Sequence, residues 1–173
     1  MMSNRPAADR LITKLITVLS EEMQMYNELL LVLRKKQSSI IEGKIEELNQ
    51  AIQKEQAILR RSETLAKTRE ASFMQVGEAL EQEEEIRTIG QLIELVESTY
   101  AERLSDIHGS LQRILQEVTL VNEENRYLLN FSIKFVREAA RELVKSSELF
   151  PVYSATGREQ EIPIPNRLIE GKI

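Results

Sequence analysis

Apolar residues return every three or four positions through most of this chain, the period of helices that bury one face. Asp9, after Pro6-Ala7-Ala8, reads as an N-cap and predicts a helix from about Arg10. Its stripe is Ile12, Leu15, Leu19, Tyr26, Leu29, Leu33 and Ile40, flanked by Leu11, Val18, Leu30 and Ile41. That is wider than a two-stranded seam needs, so the helix should face two or more neighbours. Gly43 is the breaker that marks a reversal. A second stripe then runs through Ile45, Leu48, Ile52, Glu55, Leu59, Ser62, Ala66, Arg69, Phe73, Val76 and Leu80. Strict seven-residue spacing places Glu55 and Arg69 among its apolar positions, and Arg69 is expected to pair with Glu22 or Glu55. Helices of roughly 31 and 36 residues would each be about 45–55 Å long, and a short turn favours antiparallel packing.

The acidic run at 81–85 has no apolar face and predicts a loop. Thr88 opens a short helix carrying Ile89, Leu92, Ile93 and Val96; whether it breaks before Tyr100 is left open. The last stripe is Leu104, Ile107, Leu111, Ile114, Val118, Val121, Asn125, Leu128, Ser132, Phe135 and Ala139, widened by Leu115, Leu129, Val136 and Leu143. Asn125 on this seam would fix register at some cost in stability. Phe135 falls on the seam and Phe131 falls off it. The repeat stops at Phe150-Pro151, because proline cannot continue a helix. The fold class is therefore all-α: an elongated antiparallel bundle of three long helices and one short one, with an irregular C-terminal tail. The domain reading is a helical bundle over 1–150 and a flexible tail over 151–173. That tail still carries Val152, Tyr153, Ile162, Ile164, Leu168, Ile169 and Ile173. A segment unable to form its own core covers such groups on a partner.

Composition narrows the chemistry. The 173 residues are 42% hydrophobic and 29% charged, with six Gly, four Pro and no Trp, which suits long helices around an aliphatic core. A net charge of −5 argues against a nucleic-acid surface, and Lys35-Lys36 and Arg60-Arg61 read as solvated helix faces. Cysteine is absent, so no disulfide or thiolate chemistry is expected. The first six residues lack the apolar stretch of a signal peptide. The longest apolar run, 29–33, is far short of the roughly 20 residues that cross a bilayer. These features lead to the expectation of a soluble, cytoplasmic protein. His108 is the single histidine, and position 105 is Ser105, so the Glu-x-x-His pairs of a helical di-iron site are missing. His108 reads as a partly exposed residue beside the seam. No phosphate loop, nucleophile elbow or zinc motif occurs. Neither an enzyme nor a cofactor or metal protein is expected.

The stretch Val121-Asn122-Glu123-Glu124-Asn125-Arg126-Tyr127-Leu128-Leu129 resembles the last long helix of the FlgN family of flagellar export chaperones, with its Asn-x-x-Asn-x-x-Leu-Leu pattern. A Tyr-x-x-x-Gly element follows as Tyr153 to Gly157, and the Gly43-Lys44 reversal and Arg69 match as well. The resemblance covers roughly residues 10–158. It implies a cytoplasmic chaperone that holds the hook–filament junction proteins FlgK and FlgL before secretion and delivers them to the flagellar type III export apparatus. By position, Tyr153 and Gly157 would dock on the export-gate protein FlhA. The client surface would be the outer part of the last helix, around Phe135 to Phe150, plus the tail, with Phe131, Leu149, Phe150 and Val152 as contacts and Ile162 and Ile164 in an extension that the simplest family pattern lacks. Two other readings stand beside this one: a structural coiled-coil scaffold that self-associates through the same stripes, and a chaperone for the filament cap or filament protein.

Overall fold

A computed structural model describes residues 5–148, with side chains over 6–145. The described chain is four helices: α1 (Arg5–Ile41), α2 (Ile45–Ala79), α3 (Ile89–Leu95) and α4 (Ser98–Glu148). The all-α class, the three long helices and the short one agree with the sequence pattern. The chain divides into two units, Met1–Leu129 and Asn130–Ile173, and of the second the described part is the end of α4.

The α1–α2 turn follows from one residue. Gly43 sits at φ +67, a left-handed conformation that glycine adopts without a Cβ penalty. The amides of Gly43 and Lys44 then fold back onto the carbonyls of Ile40 and Ser39, satisfying the end of α1. The two helices run antiparallel along a ladder of polar rungs. Lys14 donates to Gln75 at 3.3 Å, Arg69 to Glu22 at 2.8 Å, Arg61 to Glu28 at 3.1 Å and Lys36 to Glu55 at 2.7 Å. As the α1 numbers rise the α2 numbers fall. Contacts from α1 to α4 rise together instead: Arg34 to Glu117 at 2.9 Å and Gln37 to Glu124 at 2.8 Å. Within the first unit α4 therefore runs alongside α1 in the same direction, completing an up-down-up bundle.

α3 begins where the hydroxyl predicts. Thr88 Oγ1 accepts from the Gln91 amide at 3.2 Å, and Gln91 Oε1 accepts from the Thr88 amide at 3.1 Å, a reciprocal capping box. The acidic run at 81–85 is turn and loop, as its lack of an apolar face predicts, and the loop continues through Ile86 and Arg87. Val96 is extended (φ −102, ψ 164), so α3 does break from α4.

Two apolar clusters form the core. One gathers Ile12, Leu15, Ile16 and Leu19 of α1, Phe73 and Val76 of α2, Ile86, Leu92 of α3, and Leu104 and Leu111 of α4. The other joins Met25, Leu29, Leu30 and Leu33 to Ile58, Leu65 and Val121. The first thus ties all four helices and the 82–87 loop together at one end of the bundle.

Three expectations need correction. Asp9 is not an N-cap: α1 is already helical at Arg5, and the Asp9 carbonyl accepts from Thr13 inside the helix. Ala8 is buried, so its packing carries the helix earlier, and Pro6 in the first turn lacks only an amide that needs no partner there. The α2 seam is also offset in part from the expected one. Ala51, Ile58, Leu65 and Ser72, seven apart, are buried, whereas Ile45 and Leu59 are exposed; Phe73 and Val76 of the expected line are buried. Finally, Phe135 and Ala139 are not in a seam at all; both are exposed.

Candidate partner-binding face

α4 changes character along its length. Leu104, Leu111, Val121 and Asn125 are buried, with Ile107, Ile114 and Val118 half-buried between them. Leu128, Leu129 and Ser132 are still half-buried, but every residue from 133 to 145 is exposed. Among these are large apolar groups: Phe131 is 60% exposed, Phe135 63% and Val136 64%, with Ile133 beside them. The helix itself does not break here; it continues to Glu148. Three to four such residues within two turns make a contiguous apolar surface rather than scattered single exposures.

Asn125 stands at the end of the buried seam. Its Nδ2 donates to the Leu33 carbonyl at 2.8 Å across to α1, while its Oδ1 is buried and meets no donor among the described residues. An unpaired buried acceptor costs roughly 1–3 kcal/mol. A leucine there would avoid that cost, so the asparagine contributes alignment of α4 on α1 rather than stability.

A second polar feature lies between the two clusters. The Glu22 carboxylate accepts both hydrogen bonds from one Arg69 nitrogen, at 2.8 and 3.1 Å. Glu22 is 2% exposed and Arg69 38%, so water reaches the cation but not the anion. Glu55, the other expected partner of Arg69, is engaged by Lys36. Tyr26 is half-buried beside the pair. Burial pushes its hydroxyl above the usual value near 10, the Glu22 charge adds to the rise, and Arg69 opposes it. This is a structural ion pair with one wet end, and nothing reactive is aimed at it. A hollow between α2 and the loop at 85–87 is lined by Glu63, Lys67, Arg69, Phe73, Glu85 and Arg87. Arg69 and Arg87 there are already held by Glu22 and Glu85.

His108 is half-buried and lies 3.2 Å from Gln112 on its own helix, as expected of a residue beside the seam. Among the described residues no group of three or more histidine or carboxylate side chains is placed to hold a metal. No described helix is long and apolar enough to cross a membrane. Of the residues picked out in the sequence, Phe131 lies on the exposed α4 surface. Leu149, Phe150, Val152, Tyr153, Gly157, Ile162 and Ile164 lie outside the described residues. The repeat alone put Phe135 and Val136 on or beside the seam, whereas the family resemblance put the partner surface around Phe135 to Phe150; both residues are exposed. Their seam spacing misled, since a repeat marks a face that needs cover and not whether cover is present.

The fold and this face define a class: an all-α bundle whose last helix presents an uncovered apolar surface. The family follows from comparison with known proteins. A family model described as FlgN protein matches residues 1–161, and the chain belongs to the FlgN family of flagellar export chaperones. It is a family of chaperones rather than enzymes. No curated protein and no solved structure matches the chain.

Proposed function

We propose that this chain is a cytoplasmic export chaperone for the hook–filament junction proteins FlgK and FlgL, and that it carries them to the flagellar type III export apparatus. The observation that carries the reading is the exposed apolar stretch of α4, from Phe131 to Val136, on a helix that stays regular to Glu148. Clients of this kind have terminal segments that become helical only on assembly, and such segments aggregate when uncovered. An amphipathic surface on a rigid helix covers them in the helix-in-groove mode. Binding coupled to folding keeps affinity modest, which suits later release. The chaperone binds and hands over, and needs no nucleotide for either step.

In this reading Phe131, Phe135 and Val136 start the client surface, and Leu149, Phe150, Val152, Ile162 and Ile164 extend it. Tyr153 and Gly157 serve the separate task of docking on FlhA. Support for that division comes from the family resemblance and from the sequence position of Pro151, a residue type that disfavours helix, two places before the tyrosine. Co-purification with FlgK, FlgL, the filament cap protein and filament protein, each expressed with this chain, tests the assignment. Retention of FlgK and FlgL alone is the expected result, and retention of only the cap or filament protein would reassign the client. Sedimentation over a concentration series tests the self-association reading. A chaperone changes state when client is added, whereas a scaffold assembles without it.

A further inference from the structure

The polar border of the α4 face is unequal on its two sides, and this narrows what the face accepts. Over 130–145 the cations are Lys134, Arg137, Arg141 and Lys145, and the anions are Glu138 and Glu142. Lys145 is bound to Glu142 at 3.0 Å, and Lys134 stands 4.0 Å from Glu138. Both acids are thus matched within the helix. Arg137 and Arg141 have no ion pair among the described residues, and both are exposed. Ile133, Arg137 and Arg141 follow at four-residue spacing, so the two guanidinium groups stand in one row that begins at the apolar face. The opposite margin, by Phe131 and Phe135, carries the neutralised Glu138 and Glu142. In a chain of net charge −5, this row of two arginines without an ion pair among the described residues stands beside an exposed apolar strip.

We infer that the exposed α4 face takes an amphipathic helix whose apolar stripe is bordered on one side by acidic residues, those acids lying against Arg137 and Arg141. The inference rests on the reading of this face as a client surface and deepens it by naming the charge pattern of the client segment. Guanidinium groups suit carboxylates because their planar fork can make two parallel hydrogen bonds, so the row contributes geometry as well as attraction. It also contributes orientation: an apolar strip alone accepts a helix in several rotations, and a one-sided charge border accepts one. An anionic lipid surface is the competing partner for a basic amphipathic helix. Four cations against two glutamates leave a net +2 over 130–145, with both acids on the margin by Phe131 and Phe135. This one-sided pattern favours a protein helix with a single acidic edge over a lipid surface, which rewards a broadly basic face.

The test uses the full chain and three synthetic helical peptides with the same leucine stripe. One carries glutamate along one border, the second glutamine and the third lysine. Binding is measured by fluorescence anisotropy at low and high salt. The glutamate peptide is expected to bind tighter than the glutamine peptide on the order of fivefold at low salt, with the lysine peptide weakest. High salt should compress the differences. The double variant Arg137→Glu/Arg141→Glu, with circular dichroism unchanged, should invert the order. Equal affinities, or an order that the double variant leaves alone, would overturn the acidic-edge inference while leaving the client surface standing. If Phe131→Ser/Phe135→Ser binds all three peptides as tightly as the parent, the client-surface reading itself fails. Co-sedimentation with phosphatidylglycerol vesicles, abolished in the arginine double variant, would overturn the choice of partner in favour of a membrane.

Discussion

Two stretches of α4 share one helix and one repeat, yet they meet opposite surroundings. Between 104 and 125 the seam residues lie against α1, α2 and α3: Leu104 and Asn125 are at most 1% exposed, and Leu111 and Val121 are below a tenth. Between 131 and 136 the seam residue Phe135 and its neighbours Phe131 and Val136 are about two-thirds exposed. Burying a side chain of this size contributes about 1.5–3 kcal/mol. The first stretch therefore holds the fold together, and the second keeps an equivalent apolar surface uncovered. Similar sequence, then, is buried as core in one place and left exposed in the other, and only the neighbours decide which.

The sharpest way to break this comparison is to truncate one residue from each stretch. Leu104→Ala should lower unfolding free energy by about 2–5 kcal/mol, because the cavity opens where all four helices meet. Phe135→Ala should change it by less than about 0.5 kcal/mol yet strongly weaken client capture. Urea denaturation and client pull-down on the same two variants check both halves; a comparable loss of stability at Phe135 would mean that its surface is covered after all.

The next effect in size belongs to the covered stretch of the bundle. Arg69→Met removes the partner of a carboxylate that water does not reach. A fully buried pair broken in this way loses roughly 3–5 kcal/mol, and the exposure of Arg69 reduces the expected loss to about 2 kcal/mol. Glu22→Leu combined with Arg69→Met should regain most of it. Thermal melts of the single and double variants decide, and additive losses would show that the ion pair is not the cause.

A smaller effect sharpens the same region through pH. The Tyr26 hydroxyl has a raised pKa in the folded protein, chiefly from burial and then from Glu22. Its stabilising contribution is complete below the unfolded value near 10 and is lost as pH climbs through the higher folded value. Melting temperature should thus fall more steeply above about pH 10 in the parent than in Tyr26→Phe. Parallel curves would remove Tyr26 from the account. Last, Tyr153→Ala should leave melting temperature and client retention unchanged while slowing delivery to FlhA. Loss of client binding in that variant would place the tyrosine in the client surface.

Much of the fold was legible because local chemistry and burial agree. Gly43 gives the reversal, Thr88 gives the start of α3, and the acidic 81–85 run has no face to bury. Arg69 was expected against Glu22 or Glu55, and Lys36 settles the choice by taking Glu55. The α2 face was misread because seven-residue spacing has more than one reading. Ile45 and Leu59 suggested one line and are exposed, while Ala51, Ile58, Leu65 and Ser72 mark the buried one, one helical position away; the two lines meet in the buried Phe73 and Val76. Asp9 misled for a related reason: a good capping residue yields when buried Ala8 extends the packing. For the candidate site, Phe131 was legible as off-seam, whereas Phe135 looked like core by its spacing and like surface only by the family resemblance. Periodicity records which residues share a face, but it carries no information on where the neighbouring helices stop.

Amide hydrogen exchange of the chain, alone and with saturating FlgK, tests the central claim most directly. The account predicts new protection in α4 from 130 to 148, with protection over 104–125 unchanged because those amides already sit in a closed seam. Protection that instead appears along α1 and α2 while 130–148 keeps exchanging freely would contradict it.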